Sequence, residues 1–531
     1  PRSLVGHNHL GRGSPWYCGE LRGYSTRWHL VVQHRAPSHR LKHPGTVDLI
    51  KRVAWYQRQY WSSRGVEHVS FLHTLRNMAR MYYMPVHTIW QEIYRTHGPV
   101  AGTFTMFTPT LMVADPLLLK EIMIRNFASF PNTEFIRQVG DPVLDNMLVA
   151  LLNNEWRTTR KIVSPVFSTS KIKQMVVTAN ECAKDMIRNF AEAARKGTPC
   201  DVKLVFGAYA LDVTAQSTFS FKLDSHRDVN NPFVLQAKRF FAADYNWRAF
   251  FSFQFPRLSK TLGIRIFCPD AVEYFSGLMT DLMQRRVAGN KNEETDFVHL
   301  LTNAECKEED GLQQKDANKR GLTKNQVLAQ AVLFFVAGYD TTTIAMSMAV
   351  YYLAQHKHIQ ERLIEEIEDV RKNQSDITYE VVMGLEYLDA VCSEVLRMNP
   401  PVQMTYRTCV KSTVLGNIAI DKGTFIRIPI FAIQHDEKFF VEPDVFDPDR
   451  FLGKNKEDVV PFSFLPFGEG PRQCIGMKFA SMSFKLGLFH ALSRFSFETC
   501  SETEIPPKYH PTILLLLPYK VKLRVIDRKS E

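Results

Sequence analysis

The stretch Ala331–Met346 carries apolar side chains all the way round a helical projection. A helix without a polar face does not lie at a water-facing surface, which marks this one as buried. The rest of the 531-residue chain must be laid around it. Three features are out of place in such a helix. Gly338 costs about 1 kcal/mol against alanine in a helix interior. Asp340 is a carboxylate in an apolar setting and has to be paired or neutralised. Thr341, Thr342 and Thr343 follow it, and a threonine hydroxyl can bond the carbonyl one turn back and open the helix locally. An acid and a hydroxyl side by side in a buried helix suit proton delivery to a reacting group, while the small Ala337 and Gly338 leave room beside them.

A second stretch, Pro466–Ala480, sets Cys474 among Gly468, Gly470 and Gly476, directly ahead of a helical segment. The glycines let the backbone approach a flat ligand. A helix start favours thiolate over thiol, and Arg472 offers a planar cation suited to a carboxylate. These are the requirements of a haem iron and its propionates. Phe467, Gly470, Arg472, Cys474 and Gly476 fill the pattern Phe-x-x-Gly-x-Arg-x-Cys-x-Gly, which resembles the haem-thiolate loop of the cytochrome P-450 family.

Further motifs carry the same resemblance, from about Tyr60 to the C-terminus. Ala337-Gly338-Tyr339-Asp340-Thr341 is similar to the family's oxygen-activating segment. The likeness gives Thr341 the place beside dioxygen and Asp340 a place in a water-borne proton relay. Glu394 and Arg397 stand three apart on one helix face, followed by Pro400-Pro401 and by Phe446–Phe451. They look like the family's buried Glu-Arg-Arg network, closed by Arg450, a structural device that pins the cysteine loop. Trp156 and Arg160, at i and i+4, can both donate to one acid group. They resemble the family's Trp-x-x-x-Arg helix, which implies that they hold a haem propionate, with Arg407 in the matching position after the double proline. Gly-Pro-Arg-Gln-Cys-Ile-Gly-Met (470–477), Ala-Gly-Tyr-Asp-Thr-Thr (337–342) and Ser164-Pro165-Val166-Phe167 are close to the microsomal branch that includes drug-metabolising enzymes and thromboxane synthase. The mitochondrial branch has a lysine just before the motif glutamate and several arginines after the haem cysteine. Ser393 and Met477-Lys478 stand in those places.

The fold expected is mainly α with small segregated β-sheets (α+β), the family's triangular prism of long helices around a buried haem. Strands are expected as a hairpin, Thr103–Met106 with Thr110–Val113, and between Thr408 and Ile430. Helix is expected from Pro116 to about Arg195, up to Met398 after a charged surface linker Glu305–Lys319, and in a final segment to about Phe495. Residues 53–531 form the expected catalytic domain. Residues 1–52 read as a disordered basic tail or a truncated, non-native start. The roughly 18-residue apolar run of a transmembrane helix is not found in that tail, so the anchor implied by the microsomal branch is not seen there.

The net charge of +11 implies affinity for acidic surfaces. Nothing resembles a nucleic-acid module, so a membrane surface and a redox protein are the expected partners. Nine cysteines without Cys-x-x-Cys pairs argue for a reducing compartment, against a disulfide framework or structural zinc. The resemblance implies haem b (iron protoporphyrin IX), O2 as co-substrate and electrons from NADPH through a flavoprotein reductase, with cytochrome b5 as a further donor. It implies a lipophilic small-molecule substrate and the cytosolic face of the endoplasmic reticulum membrane, with the mitochondrion as the alternative. Lys478, Arg157 and Lys161 are the candidate reductase contacts. Aromatic residues from Phe240 to Phe255, with Arg248, Arg257, Lys260 and Arg265 alongside, read either as core or as a membrane-facing entrance. Competing activities are a peroxide isomerase or dehydratase and a silent haem-binding protein, both disfavoured by Asp340-Thr341. A cysteine hydrolase lacks a histidine near Cys474.

Overall fold

The computed structural model describes residues 46–105, 107–133, 143–219, 222–223, 225–226, 231–241, 247–265, 267–288, 322–374, 376–512 and 514–529. Most of the expected tail and the charged linker Glu305–Lys319 lie outside the described residues. The chain divides into two units, Pro1–Trp55 and Tyr56–Glu531. Of the first, only the start of a helix, Thr46–Ser62, is described.

In the second unit, helix α1 (Val86–His97) buries Val86, Ile89, Trp90 and Ile93, the three-and-four spacing of one helical face. It stops at Gly98, whose φ of 80° suits glycine. Strands β1 (Val100–Thr105) and β2 (Thr108–Val113) follow as an antiparallel hairpin, pairing Val100 with Val113 and Thr105 with Thr108. The hairpin begins three residues before the expected Thr103, because the helix cap leaves the chain extended at once.

The helical run expected from Pro116 is broken. It comprises a short helix Pro116–Lys120, a π-turn Glu121–Arg125 and a 3-10 turn Leu144–Asn146 before α2 (Asn153–Val163) and α3 (Thr169–Lys196). Strand β3 (Cys200–Asp201) and helix α4 (Val202–Phe219) come next. Helix α5 (Lys324–Gln355) opens on a capping box, Thr323 with Gln326, and its side chains from Val327 to Phe335 and from Thr342 to Leu353 are almost all buried. It packs along α4, as two helices with apolar residues all round must do. Among the described residues α5 is the one helix long and apolar enough to cross a bilayer, but 67% of its most apolar window is buried in the core.

Helices α6 (Lys357–Asn373) and α7 (Glu386–Met398) lead to β4 (Thr405–Thr408), β5 (Thr413–Leu415), β6 (Ile418–Ile420) and β7 (Phe425–Ile428). The last long helix, α8 (Met477–Leu492), ends short of the expected Phe495, which instead opens β8 (Phe495–Glu498). Phe495 and Phe497 point inward at 0% and 1% exposure while Ser496 and Glu498 do not, a period of two. Strand β9 (Lys522–Asp527) pairs with β8, and Arg494 latches the pair through its guanidinium to Asp527. The sheets are β1-β2-β7-β4, with β2 and β7 parallel, then β3-β9-β8 and β5-β6. The architecture is mainly α with small separate sheets, an α+β fold. Helices α3, α4, α5, α7 and α8 supply its largest core cluster.

Candidate active site

A cavity of about 470 Å³ lies between the middle of α5 and the loop before α8. Trp156, Arg160, Ala337, Gly338, Asp340, Thr341, Arg407, Phe467, Arg472, Cys474 and Gly476 all line it, whereas Glu394, Arg397 and Arg450 do not. The remaining lining is mostly apolar, including Met147, Phe334, Ile430 and Leu515.

The cysteine loop is shaped by backbone constraints. Gly470 has φ of 74°, and a side chain there would place its Cβ 2.2 Å from the Met123 carbonyl oxygen, so no other residue fits. The Cys474 N–H donates to Phe467 O at 2.9 Å and closes the loop, and α8 starts at Met477. The Cys474 side chain is exposed to the cavity. Desolvation by the surrounding protein pushes the thiol above its ordinary value, against the pull of the Gly476 N–H and Arg160. The helix start favours the thiolate, as the sequence implies, Arg160 adds to it, and burial opposes both. A bound metal cation would favour the thiolate there. Among the described residues no cluster of three His, Cys, Asp or Glu offers a metal site. A metal at Cys474 would draw its other ligands from a cofactor.

Three guanidinium groups reach the same cavity. Arg472 donates from Nε to Pro131 O at 2.8 Å and from Nη2 to Leu151 O at 3.0 Å, and its carbon lies 3.9 Å from the centre of the Trp156 ring. Arg160 Nη2 donates to Gln473 O at 2.9 Å, and Arg407 Nη1 to Tyr406 O at 2.8 Å. Burial disfavours all three cations. It pulls Arg472 down to about 9, with Arg407 and Arg160 adding repulsion, and Arg407 down to about 10. Arg160 is also below its ordinary value by burial, with Cys474 opposing. Arg407 Nε is buried with no hydrogen-bond partner. Among the lining residues the only carboxylate is Asp340, on α5. Buried cations without acids call for an anionic ligand.

On α5 the Thr341 hydroxyl donates to Ala337 O at 2.8 Å. Gly338 has a packing reason beyond leaving room: a Cβ there would lie 3.0 Å from Thr214 Oγ1 on α4.

The model of the cytochrome P450 family matches residues 68–525. The chain belongs to the cytochrome P450 family. It is 34% identical to mouse cytochrome P450 3A16 over 472 residues, which cover 88% of this chain and 91% of that protein. It is 33% identical to mouse cytochrome P450 3A11 over 490 residues, covering 91% and 95%. It is 32% identical to human cytochrome P450 3A5 over 442 residues, covering 82% and 86%. This P450 is a haem-thiolate monooxygenase of lipophilic molecules, with haem b as cofactor, O2 as co-substrate and NADPH-derived electrons delivered by a reductase, and it belongs to the endoplasmic reticulum membrane. Its cavity fits haem: a single thiol for the iron, cations for the propionates and an apolar lining for the ring.

Behind the cavity of this P450, Glu394 and Arg397 are both 0% exposed and paired twice, Nε to Oε2 at 2.7 Å and Nη2 to Oε1 at 2.8 Å. The Asp447 N–H donates to Glu394 Oε1 at 2.9 Å, and Arg450 Nε stands 3.5 Å from the same oxygen. Burial pushes the Glu394 carboxyl up, and Arg397, the Asp447 N–H and Arg450 oppose it. The link from this network to the cysteine loop is a residue that sequence reasoning missed. Gln434 gives its backbone oxygen to Arg397 at 2.9 Å, and its Oε1 accepts from Leu465 N at 2.9 Å, just ahead of Pro466. Its one sequence signal is an amide at the end of the apolar run Ile430–Ile433. Gln403 was missed as well. Its side chain donates to Thr512 O at 2.9 Å and Leu515 O at 3.3 Å, and so carries a distant loop to the cavity wall.

Proposed function

We propose that Cys474 is the one protein ligand of the haem iron and that Trp156, Arg160, Arg407 and Arg472 receive the propionates. Ala337, Gly338, Phe467 and Gly476 then line the faces of the ring. The observation that carries this reading is the meeting of one buried and two half-buried guanidinium groups, Arg407 with Arg160 and Arg472, and one cysteine in a cavity where, among the described residues, the only lining carboxylate is Asp340. Bound haem supplies the electron transfer and oxygen activation that no side chain here can perform.

The chain's own residues do the rest. Arg472 is braced by backbone carbonyls and the Trp156 face, so it holds its orientation without a ligand. Thr341 spends its proton on Ala337 O, which leaves its oxygen free to accept from a water or an acid in the cavity. Asp340, next to it, is the group that can pass a proton to that point. The Glu394–Arg397–Arg450 network is structural.

Membrane and partners complete the proposal. Trp247, Leu258 and Leu262 are 54%, 47% and 60% exposed on or just after the helices Trp247–Gln254 and Pro256–Thr261. With Arg265 exposed nearby in sequence, they suit contact with an anionic bilayer on the cytosolic face. Tyr245, from the same aromatic run, lies outside the described residues. Exposed Lys478, Arg157 and Lys161 would meet acidic surfaces of the reductase and of cytochrome b5.

The carbon-monoxide difference spectrum of Cys474→Ala tests the reading. Loss of the red-shifted thiolate band is expected, and its persistence would sink the assignment. Thr341→Ala should bind substrate normally but release peroxide at the expense of product, while unchanged product per NADPH would remove Thr341 from the relay.

A further inference from the structure

Gln330 is an amide in an otherwise apolar part of α5, and it is 0% exposed. Its Nε2 donates to Asn146 O at 2.7 Å and, one turn back, to Gln326 O at 3.0 Å. Its Oε1 accepts from the Leu148 N–H at 2.8 Å. Carbonyls meet one end of the amide and an N–H meets the other, so a flipped group would set like against like. Gln326 is itself held by the capping box with Thr323, which anchors the clamp at the ordered start of the helix.

The peptide segment that Gln330 holds has a second attachment. Leu151 O accepts from Arg472 at 3.0 Å and Leu148 O accepts from it at 3.5 Å. Between these anchors Met147, Leu148 and Val149 line the cavity, while Gln330 itself does not. A stretch of irregular chain thus forms one cavity wall, tied to α5 on one side and to the propionate cradle on the other.

We propose that Gln330 is a positioning residue that sets how firmly the cavity grips bulky apolar molecules, by pinning the Met147–Val149 wall between α5 and Arg472. The proposal rests on the haem-site reading above. An apolar side chain at 330 would fill the space but leave the Leu148 N–H without its acceptor and take one donor from the Asn146 carbonyl. The wall would then lose its tie to α5 and keep those to Arg472 and, through Val149 O at 3.4 Å, to the Thr133 hydroxyl. A ligand pressing on it would have to order it on binding. A ligand too small to reach the wall would bind as before.

The test uses the full-length holoenzyme and two nitrogen ligands of haem iron that differ in apolar bulk, imidazole and 4-phenylimidazole. Gln330→Met should keep the carbon-monoxide thiolate band and leave the imidazole Kd within about twofold. It should weaken 4-phenylimidazole about fivefold, the loss of roughly one net hydrogen bond. Gln330→Glu, which keeps an acceptor for Leu148 N–H, should fall between. In the unmutated enzyme, 4-phenylimidazole should slow amide exchange across residues 144–151 more than imidazole does, and this holds as a test even if the methionine variant fails to fold. An unchanged ratio of the two Kd values in Gln330→Met, or exchange at 144–151 indifferent to the phenyl group, overturns the proposal. Absence of imidazole binding and of the thiolate band from the unmutated protein would instead overturn the haem-site reading.

Discussion

Two groups of arginines, buried or half-buried, lie close to the cysteine loop and are built on opposite terms. Arg397 is fully buried, bonded twice to Glu394 and once to the Gln434 carbonyl, and Arg450 adds charge at the same carboxylate. Arg160, Arg407 and Arg472 face the cavity, and among the described residues the only carboxylate lining it is Asp340, on α5. A buried cation that is matched within the protein holds the protein together. One left unmatched by side chains holds something that is not protein. The difference lets a structural network be told from a binding cradle by charge bookkeeping alone.

The largest effect should come from breaking the matched group. Arg397→Ala strands Glu394 in an apolar interior and should cost about 3–5 kcal/mol, read as a lowered melting temperature and little haem-loaded protein. A variant that melts like the parent would show the pair to be dispensable. The unmatched group should behave in the opposite way. Arg407→Met removes a charge that burial disfavours, so the melting of the haem-free fold should hold or rise. Haem loss to a scavenger protein should meanwhile speed up about tenfold or more, the worth of one charge-assisted bond. Equal losses of fold and of haem retention would erase the distinction between the two groups.

Acid should also separate them. His435 follows Gln434 in the network and is held down to about 3 by burial, with Arg397 adding repulsion. His87, packed on Phe431 beside it, is held down to about 3 by burial and His435. Both are neutral when folded and take up protons when unfolded. Their stabilisation is therefore complete above about pH 6.5 and is lost as pH falls toward 3, by about 1.4 kcal/mol per unit for each histidine. Replacing His435 with phenylalanine should flatten the acid limb of stability against pH, and an unchanged limb would exclude it. The smallest effect lies at the surface. Lys478→Glu should slow reduction by the reductase at low salt and spare peroxide-supported turnover, since steering by an exposed charge is screened.

Much of the site can be seen in the sequence, because the relevant residues come in short fixed spacings on single elements. Glu394 and Arg397 share one turn of α7, Trp156 and Arg160 one turn of α2, and Asp340 and Thr341 are neighbours on α5. Gln434, Gln403 and Gln330 could not be seen in that way. Each bonds backbone groups more than thirty residues away, and a glutamine in an apolar run gives no spacing to read. The end of the last helix is hidden from the sequence for a related reason. Phe495 and Phe497 continue the apolar composition of α8, and only their pairing with β9 imposes the strand period.

The sequence by itself determined that α5 must be withdrawn from water, since its apolar surface runs all round, and only the tertiary structure decided that protein covers it. The sequence also determined that Cys474 sits in a glycine-shaped loop, since φ values near 70° exclude most other residues at Gly468 and Gly470. Both are local properties of backbone and side chain. The surroundings of Cys474 were decided only by the tertiary structure, because the helix start that favours thiolate lies within the segment while the burial that raises the thiol comes from the whole fold. The meeting of Arg160, Arg407 and Arg472 was decided there too. They stand on α2, β4 and the cysteine loop, and only folding can bring three like charges together against their own repulsion.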